Sequence, residues 1–436
     1  MIVFEFKVKG KKTQYQAIDE AIRTGQFVRN KCLRYWIDGE NINRKLLYQY
    51  NTQLRKEFPF VKELNSTACQ ASVERCWSSI ARFYDNCEKQ VVGKKRVLNS
   101  EVSSECKKHS RGYPKFKKNS RSVEYKQSGW KLLDPKHIKF TDQKGIGKLK
   151  LIGTWDLGFY SEDQIKRVRL VRRADGYYCQ FCVAIEVKET LQATHNTIGV
   201  DVGLKEFYTD SKGNKESNPR YYRKSEAKIK KNQRRVSRKV KGSSNRKKAI
   251  NKLGRTHLKI SRQRKEFAKR LALRVIQSND LVAYEDLRIK NLVRNNCLSK
   301  SINDAGWYEF RKWLEYFGTK HGRITIAVAP NYTSQKCSNC GVIVKKSLSK
   351  RTHICKCGCQ LDRDHNAALN ILNKALSTSG HGGTWIIDPN ASGDLSSTEF
   401  GRTSHDAELG SASVSSEILL QQDGSLKEES HGFSLA

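Results

Sequence analysis

Five cysteines fall within 23 residues near the C-terminal third of the chain: Cys337-Ser-Asn-Cys340-Gly, then, after 14 residues, Cys355-Lys-Cys357-Gly-Cys359. So dense a thiol cluster restricts the fold more than any other feature, because it closes either on a metal or through disulfides. The chain has 13 cysteines, an odd number, and its first residues (MIVFEFKVKGKK) lack the basic region and small-residue cleavage site of a secretory signal. The expectation is therefore a reducing cytoplasm and a metal site. Thiolates are soft ligands, and a Cys-x-x-Cys turn gives two sulfurs to one ion, so two arms make a four-cysteine zinc ribbon. Cys337 and Cys340 form the first arm. In the second, Cys355 and Cys357 are favoured because Cys357 precedes glycine as Cys340 does, and Cys355 with Cys359 is the alternative. Such a zinc is structural and supplies roughly 10–16 kcal/mol of folding free energy in small modules.

Charge limits the partners. The 436 residues carry 83 Lys and Arg against 44 Asp and Glu, a net charge of +39. Self-repulsion on that scale calls for a polyanion, and nucleic acid is the natural one. The excess is concentrated. Residues 220–274 hold 23 basic residues against Glu226 and Glu266, whereas residues 377–436 hold 9 acids and 2 bases. The basic run reads as a phosphate-contacting helical region with candidates Arg234, Arg235, Arg238, Lys239, Arg246, Lys247, Lys248 and Arg262. Tyr221, Tyr222 and Phe267 are available there for stacking or packing. The last 60 residues read as an acidic, disordered tail. No apolar run is long enough to span a membrane.

Periodicity orders the rest. Ile2, Phe4, Phe6 and Val8 alternate with polar residues, as in a half-buried strand. Ile18, Ile22, Gly25, Val28, Cys32 and Tyr35 form a helical stripe, and Cys69, Val73, Cys76, Ile80, Phe83 and Cys87 form a second. These stripes read several of the scattered cysteines as small core residues. Gly112 and Pro114 break the pattern, and short β-rich runs follow at 138–140, 149–152, 168–171 and 178–186. A helical block inserted into a β-domain explains this order. Residues 197–210 predict a strand, a tight turn and an antiparallel strand. Residues 280–285 and 323–329 predict further strands, Trp307, Phe310, Leu314 and Phe317 an amphipathic helix, and residues 364–376 another helix.

Three acids sit at element ends. Asp201 lies beside Gly203, Glu285 ends the run DLVAYE, and Asp364 stands in DRDHNAALNI at a helix start. Taken singly they read as a turn residue, a strand-end acid with Asp286 equally eligible, and a helix cap. Taken together, in a basic protein, they suit hard cations such as Mg²⁺ and phosphodiester cleavage, which commonly uses two ions.

The blocks GVDVGLKEF (199–207), YEDLRIKNL (284–292), NYTSQKCSNCG (331–341) and LDRDHNAALNIL (361–372) agree in order, spacing and wording with the TnpB family, and GYPKFK (112–117) is also similar. These are transposon-encoded OrfB proteins related to the type V CRISPR effectors. The resemblance covers about residues 1–376 and implies a multidomain α+β and α/β chain. A RuvC (RNase H-like) nuclease domain would carry an inserted zinc ribbon, and an N-terminal wedge β-barrel a helical recognition insert. The implied boundaries are 1–14 and 128–190 for the wedge and 15–127 for the insert. They continue with 191–330 for RuvC including 220–274, 331–362 for the ribbon, 363–376 for the last RuvC helix and 377–436 for the tail. By motif, Asp201, Glu285 (rather than Asp286) and Asp364 (rather than Asp362) would be the catalytic acids, holding two Mg²⁺ ions, with Mn²⁺ able to substitute. The second zinc arm departs from the family's usual Cys-x-x-Cys, and the acidic tail lies outside its common core.

The function so implied is RNA-guided DNA cleavage. A guide RNA transcribed from the transposon end would pair with double-stranded target DNA, while the protein reads a short flanking motif. The working form would be a monomeric cytoplasmic ribonucleoprotein. The alternative is an unguided RNase H-fold transposase or resolvase acting on transposon DNA. A guided binding protein without cleavage ranks third, because all three acids are present.

Overall fold

The structure is a computed structural model that describes residues 2–89, 112–154, 156–184, 190–345, 347 and 350–378. Cys106 and nearly all of the acidic segment 377–436 lie outside the described residues. The elements, in order, begin with β1 (Ile2–Lys9), α1 (Lys12–Asp38), α2 (Arg44–Glu57), α3 (Pro59–Lys62) and α4 (Ser66–Glu88). There follow β2 (Ser122–Tyr125), β3 (Trp130–Asp134), β4 (His137–Phe140), β5 (Lys148–Ile152), β6 (Ile165–Arg173) and β7 (Gly176–Val183). Next are β8 (Thr197–Val202), β9 (Glu206–Asp210), β10 (Lys215–Ser217), α5 (Tyr221–Ser237), α6 (Ser244–Ser278) and β11 (Leu281–Glu285). The chain continues with α7 (Ile289–Leu292), α8 (Asn296–Ala305), α9 (Trp307–His321) and β12 (Ile324–Val328), and then β13 (Thr352–Ile354), β14 (Gln360–Asp362) and α10 (Arg363–Thr378). The chain forms two compact units, one from residues 2–187 and 221–264, the other from 188–220 and 265 onward.

In the first unit β1 is the central strand of a seven-stranded antiparallel sheet of order β2-β6-β7-β1-β5-β4-β3. Its alternation decides its place. Phe4, Phe6 and Val8 are buried while Val3, Lys7 and Lys9 point outward. The strands that complete the sheet come only after α1–α4, so the helices are an insertion between β1 and its partners. The two helical stripes fall on α1 and α4. Ile18, Ile22, Val28, Cys32, Cys69, Val73, Cys76 and Ile80 enter one core with the sheet. Cys179 and Cys182 of β7 are buried as well. Burial pushes the Cys76 thiol up to about 11 and raises Cys32 and Cys179 further, so these are inert packing thiols. Glu124 on β2 is almost fully buried, but three guanidiniums, Arg75, Arg167 and Arg169, surround it and hold its pKa down at about 2 despite the burial.

The second unit is built on a five-stranded sheet of order β10-β9-β8-β11-β12. The meander β8–β9–β10 is antiparallel, whereas β8, β11 and β12 run parallel. The apolar run of β11 is buried on both faces. Val282 and Tyr284 join a core with α6, α8 and α9, while Leu281 and Ala283 pack with Ile371 and Ala375 of α10. The amphipathic stripe of α9 places Phe310, Leu314 and Phe317 in the former. Among the described residues no helix is long and apolar enough to cross a membrane.

Candidate active site and metal centre

The carboxylates come together through strand register and one glycine. β8 and β11 are parallel neighbours with Val200 opposite Tyr284, so Asp201 and Glu285 follow side by side at the same end of the sheet. Across the sheet face lies α10. A Cβ on Gly199 would stand 2.2 Å from the Ala368 carbonyl and 2.9 Å from Leu372. Only glycine at 199 lets α10 approach β8 this closely, and the first turn of α10 carries Asp364.

Each acid has a distinct environment. Asp201 is half-buried, and its pKa is pushed well above the ordinary carboxylate value, first by burial and then by the charges of Glu285 and Asp364, with Arg363 opposing. Burial also raises Glu285, against the Thr333 hydroxyl, which donates to its Oε1 at 2.5 Å, and the charge of Lys374. Asp364 sits between two guanidiniums, Arg351 and Arg363, each at 3.3 Å. The rival acids have other tasks. Asp286 is exposed and pairs with Arg311. Asp362 is the helix cap: its Oδ1 accepts from the backbone N–H of Asp364 at 2.9 Å and of His365 at 3.4 Å, and its Oδ2 binds Lys215 at 2.8 Å. Asp364 is therefore in the first turn and not the cap, and its carboxylate is left for other contacts. Glu285 and Asp364 act electrostatically on Asp201, yet the oxygens of the three acids do not close into a tight ligand shell. Among the described residues the cysteine cluster alone brings three or more potential metal-ligand side chains within 4.8 Å of one another.

That cluster consists of Cys337, Cys340, Cys355 and Cys357, with Cys359 outside it. The Sγ atoms of Cys337 and Cys357 are 3.7 Å apart, and those of Cys340 and Cys355 3.5 Å. A tetrahedron of sulfurs around zinc, with bonds of about 2.3 Å, has edges of about 3.8 Å, so the donor set and its spacing fit zinc. Each knuckle turns through a left-handed glycine, Gly341 at φ +77° and Gly358 at φ +87°. Burial opposes ionisation of Cys337, but the backbone N–H groups of Cys340 and Asn339, with His353 and Cys357, bring its pKa down to about 5. The cluster is tied to α10 by two buried amides that the sequence reading did not single out. Asn366 accepts from the Ser338 N–H at 3.0 Å and donates to the Lys336 carbonyl at 2.8 Å, while Asn370 donates to the Thr333 carbonyl at 2.8 Å. Their spacing of one helical turn along α10 was the available signal, one that a short amphipathic helix hides among ordinary polar positions. Thr333, which lies in the block 331–341, and Arg351 touch Glu285 and Asp364, a role that the sequence alone assigns to neither.

The basic candidates lie on α5, α6 and the loop between them. Arg234, Arg235, Arg238, Lys239, Lys247 and Lys248 are exposed. Arg246 donates to the Val236 and Lys239 carbonyls, closing the end of α5, and Arg262 pairs with Asp175 at 2.7 Å.

Residues 180–296 match the OrfB_IS605 family model, described as "Probable transposase", and residues 307–371 match the Cas12f1-like TNB domain. A Streptomyces pristinaespiralis protein named "Putative RNA-guided DNA endonuclease" is 41% identical over 192 residues, 44% of this chain and 48% of that protein. The chain is similar to OrfB and TnpB-like proteins over these segments. A second relative, "Putative RNA-guided DNA endonuclease InsQ" of Escherichia coli K12, is 27% identical over 284 residues, 60% of this chain and 68% of that one. The match thus spans about half the length of the first relative and two thirds of the second. Among solved structures, a Cas12f1–sgRNA–target DNA complex is similar at a TM-score of 0.46 and 16% identity, covering 83% of this chain and 82% of that one.

Proposed function

We propose that this chain is an OrfB-type, transposon-associated RNA-guided DNA endonuclease with an RNase H-like (RuvC) centre formed by Asp201, Glu285 and Asp364. The observation that carries the reading is the electrostatic burden that Glu285 and Asp364 place on Asp201, which parallel strand register sets beside Glu285. Glu285 and Asp364 both raise the pKa of Asp201 in a site that burial already makes unfavourable for charge. Neighbouring carboxylates that resist joint ionisation suit hard divalent cations, which favour the charged form. Asp201, Glu285 and Asp364 would hold two Mg²⁺ ions. Bound Mg²⁺ supplies Lewis-acid stabilisation and a low-pKa water for phosphodiester hydrolysis.

The chain's own residues do the positioning. The Thr333 hydroxyl orients Glu285, and Asp362 fixes the first turn of α10 and with it Asp364. Arg351 and Arg363 pair with Asp364 and offer cations to a phosphate brought to the same place. The four-thiolate knuckle binds structural zinc and, through Asn366 and Asn370, holds the segment bearing Thr333 against α10. Arg234, Arg235, Arg238, Lys239, Lys247 and Lys248 contact the phosphates of guide RNA and target DNA. The working form is a monomeric ribonucleoprotein on double-stranded DNA.

The test is to purify the full chain from cells carrying its native flanking DNA and to sequence the RNA that comes with it. One discrete species, structured at one end and matching sequence beyond the element at the other, is the expected result. Heterogeneous cellular RNA released uniformly by salt would refute guiding. The description of residues 180–296 as a transposase favours the second reading, an unguided enzyme, which would cut transposon DNA with no RNA present.

A further inference from the structure

α1 has two stripes. One, from Ile18 to Cys32, is buried. The other, Arg23, Gln26, Phe27, Asn30, Lys31 and Arg34, recurs at helical spacing on the neighbouring face and lines an open cleft of about 450 Å³. Two of its members organise a second wall. The Asn30 amide pairs with both backbone groups of Lys117, accepting at 2.9 Å and donating at 2.8 Å. Gln26 does the same for Ser120 N–H at 2.6 Å and the Lys118 carbonyl at 3.3 Å, and Arg29 donates to the Lys115 carbonyl at 3.1 Å. These bonds lay an extended segment along the helix with Lys115, Phe116 and Lys118 exposed. The amides are thus spent on architecture, and the groups left facing the cleft are cations and aromatic rings.

They alternate. The Phe27 ring meets Phe58 and Phe60 edge-on, with centroids 5.1 Å apart in each case. The Lys31 ammonium lies 5.7 Å from the Phe27 centroid and 5.3 Å from that of Phe58. The Arg34 guanidinium lies 5.0 Å over Phe116, whereas Lys144, 5.9 Å from Phe60, is taken up by Glu63 at 2.7 Å and adds no free charge to the face. Phe60 and Phe116 are both large apolar side chains left about 40% exposed, at 39% and 40%. The acids nearby do not neutralise the face. Glu20 is 4.0 Å from Arg23 and Asp38 3.4 Å from Arg34, and both pairs are more than half exposed.

We infer that this face of α1, with the segment 115–118, is a second nucleic-acid site that grips a single strand. Arg23, Lys31 and Arg34 contact its phosphates, and Phe27 with its neighbours stacks on unpaired bases. Cations interleaved with exposed rings are what single strands need, because every base offers a π-face while a duplex hides it. An acidic peptide would use the cations but leave the rings unused. The inference rests on the nucleic-acid reading above but not on cleavage, and the site is distinct from the α5–α6 basic run.

The test uses the full chain with its zinc, stripped of nucleic acid at high salt and held in buffer with neither Mg²⁺ nor chelator. Anisotropy follows its binding to fluorescein-labelled 20-nucleotide single strands (about one guide length), as RNA and as DNA, and to a DNA duplex of the same length, across a salt series. Arg23→Ala/Lys31→Ala/Arg34→Ala should weaken binding at least tenfold and flatten the log–log salt slope by about 2, as three lost single-strand phosphate contacts would. Phe27→Leu, chosen to keep the aromatic cluster folded, should weaken binding roughly fivefold or more with the slope unchanged. Arg234→Ala/Arg235→Ala/Arg238→Ala serves as the comparison. If it loses affinity while both α1 variants bind like the parent, the α1 site is refuted and the nucleic-acid reading stands. If all variants bind like the parent, both are refuted. Loss confined to duplex DNA with Phe27→Leu silent, or displacement of the strand by polyglutamate of equal charge, would also overturn the assignment.

Discussion

Gly199→Ala is the perturbation that separates the geometry of the acidic site from its chemistry. The change adds one methyl group, no charge and no polar atom, and it lies two residues from Asp201. That methyl would stand 2.2 Å from the Ala368 carbonyl and 2.9 Å from the Leu372 side chain, both on α10. Real side chains do not tolerate contacts under 3.0 Å, so α10 must retreat by at least about 0.8 Å or β8 must bend. Overpacking of this kind costs about 1–3 kcal/mol. In a unit of this size that lowers Tm by roughly 2–12 °C. The larger effect falls on the site, because α10 carries Asp364 while β8 carries Asp201. A displacement near 1 Å at a reacting centre costs on the order of 100-fold in rate. The assay is single-turnover cleavage of a guide-matched duplex at saturating Mg²⁺, alongside thermal unfolding and RNA retention. A protein that folds and keeps its RNA but cuts about 100-fold more slowly is the expected outcome. Parent-like cutting by Gly199→Ala would mean that close approach of α10 to β8 does not set the distance between the acids.

Asp201→Asn tests the electrostatic burden directly. The folded pKa of Asp201 lies above its unfolded value. Parent stability without added Mg²⁺ should therefore fall as pH rises from about 4, the unfolded carboxylate value, through the folded pKa. The asparagine variant should gain Tm relative to the parent over that window, show no advantage below it, and lose the stabilisation that Mg²⁺ gives the parent. Mg²⁺ binding to the parent should tighten with rising pH, because the proton on Asp201 must leave, and calorimetric titration at several pH values checks this. Metal analysis should find one zinc per chain, lost in Cys337→Ser, Cys340→Ser, Cys355→Ser and Cys357→Ser but kept in Cys359→Ser. Zinc lost in Cys359→Ser and kept in Cys357→Ser would reverse the assignment of the second arm. Arg234→Ala/Arg235→Ala/Arg238→Ala should flatten the salt dependence of RNA binding by roughly 2–3 log–log units, each contact being worth about 0.7–0.9.

Much of the element order was legible because the periods are clean. The alternation at β1, the stripes of α1, α4 and α9 and the doubly buried run of β11 each signal their type without help from the rest of the chain. α2 went unread because Leu47, Asn51 and Leu54 make a stripe of only three buried positions in a polar helix. The short strands β10, β13 and β14, of three residues each, are too brief to show a period. At the acidic site the three carboxylates could be named from motifs, but the sequence could not separate cap from first-turn residue at Asp362 and Asp364. That distinction depends on which carboxylate receives the helix N–H groups. The parts contributed by Gly199, Thr333, Arg351, Asn366 and Asn370 depend on contacts between segments far apart in sequence, and no local pattern announces those. Arg246 and Arg262 looked like their exposed neighbours on charge alone. Their partners, the carbonyls at the end of α5 and Asp175, become visible only once the helices are placed.

The most direct test of the central claim is cleavage of a DNA duplex matched to the co-purifying RNA, in Mg²⁺, by the parent ribonucleoprotein and by Asp201→Ala. The parent is predicted to cut the matched duplex and spare a mismatched one, while Asp201→Ala retains the same RNA and cuts neither. Cutting that ignores the match would contradict RNA guidance, and cutting that survives in Asp201→Ala would contradict the acidic centre.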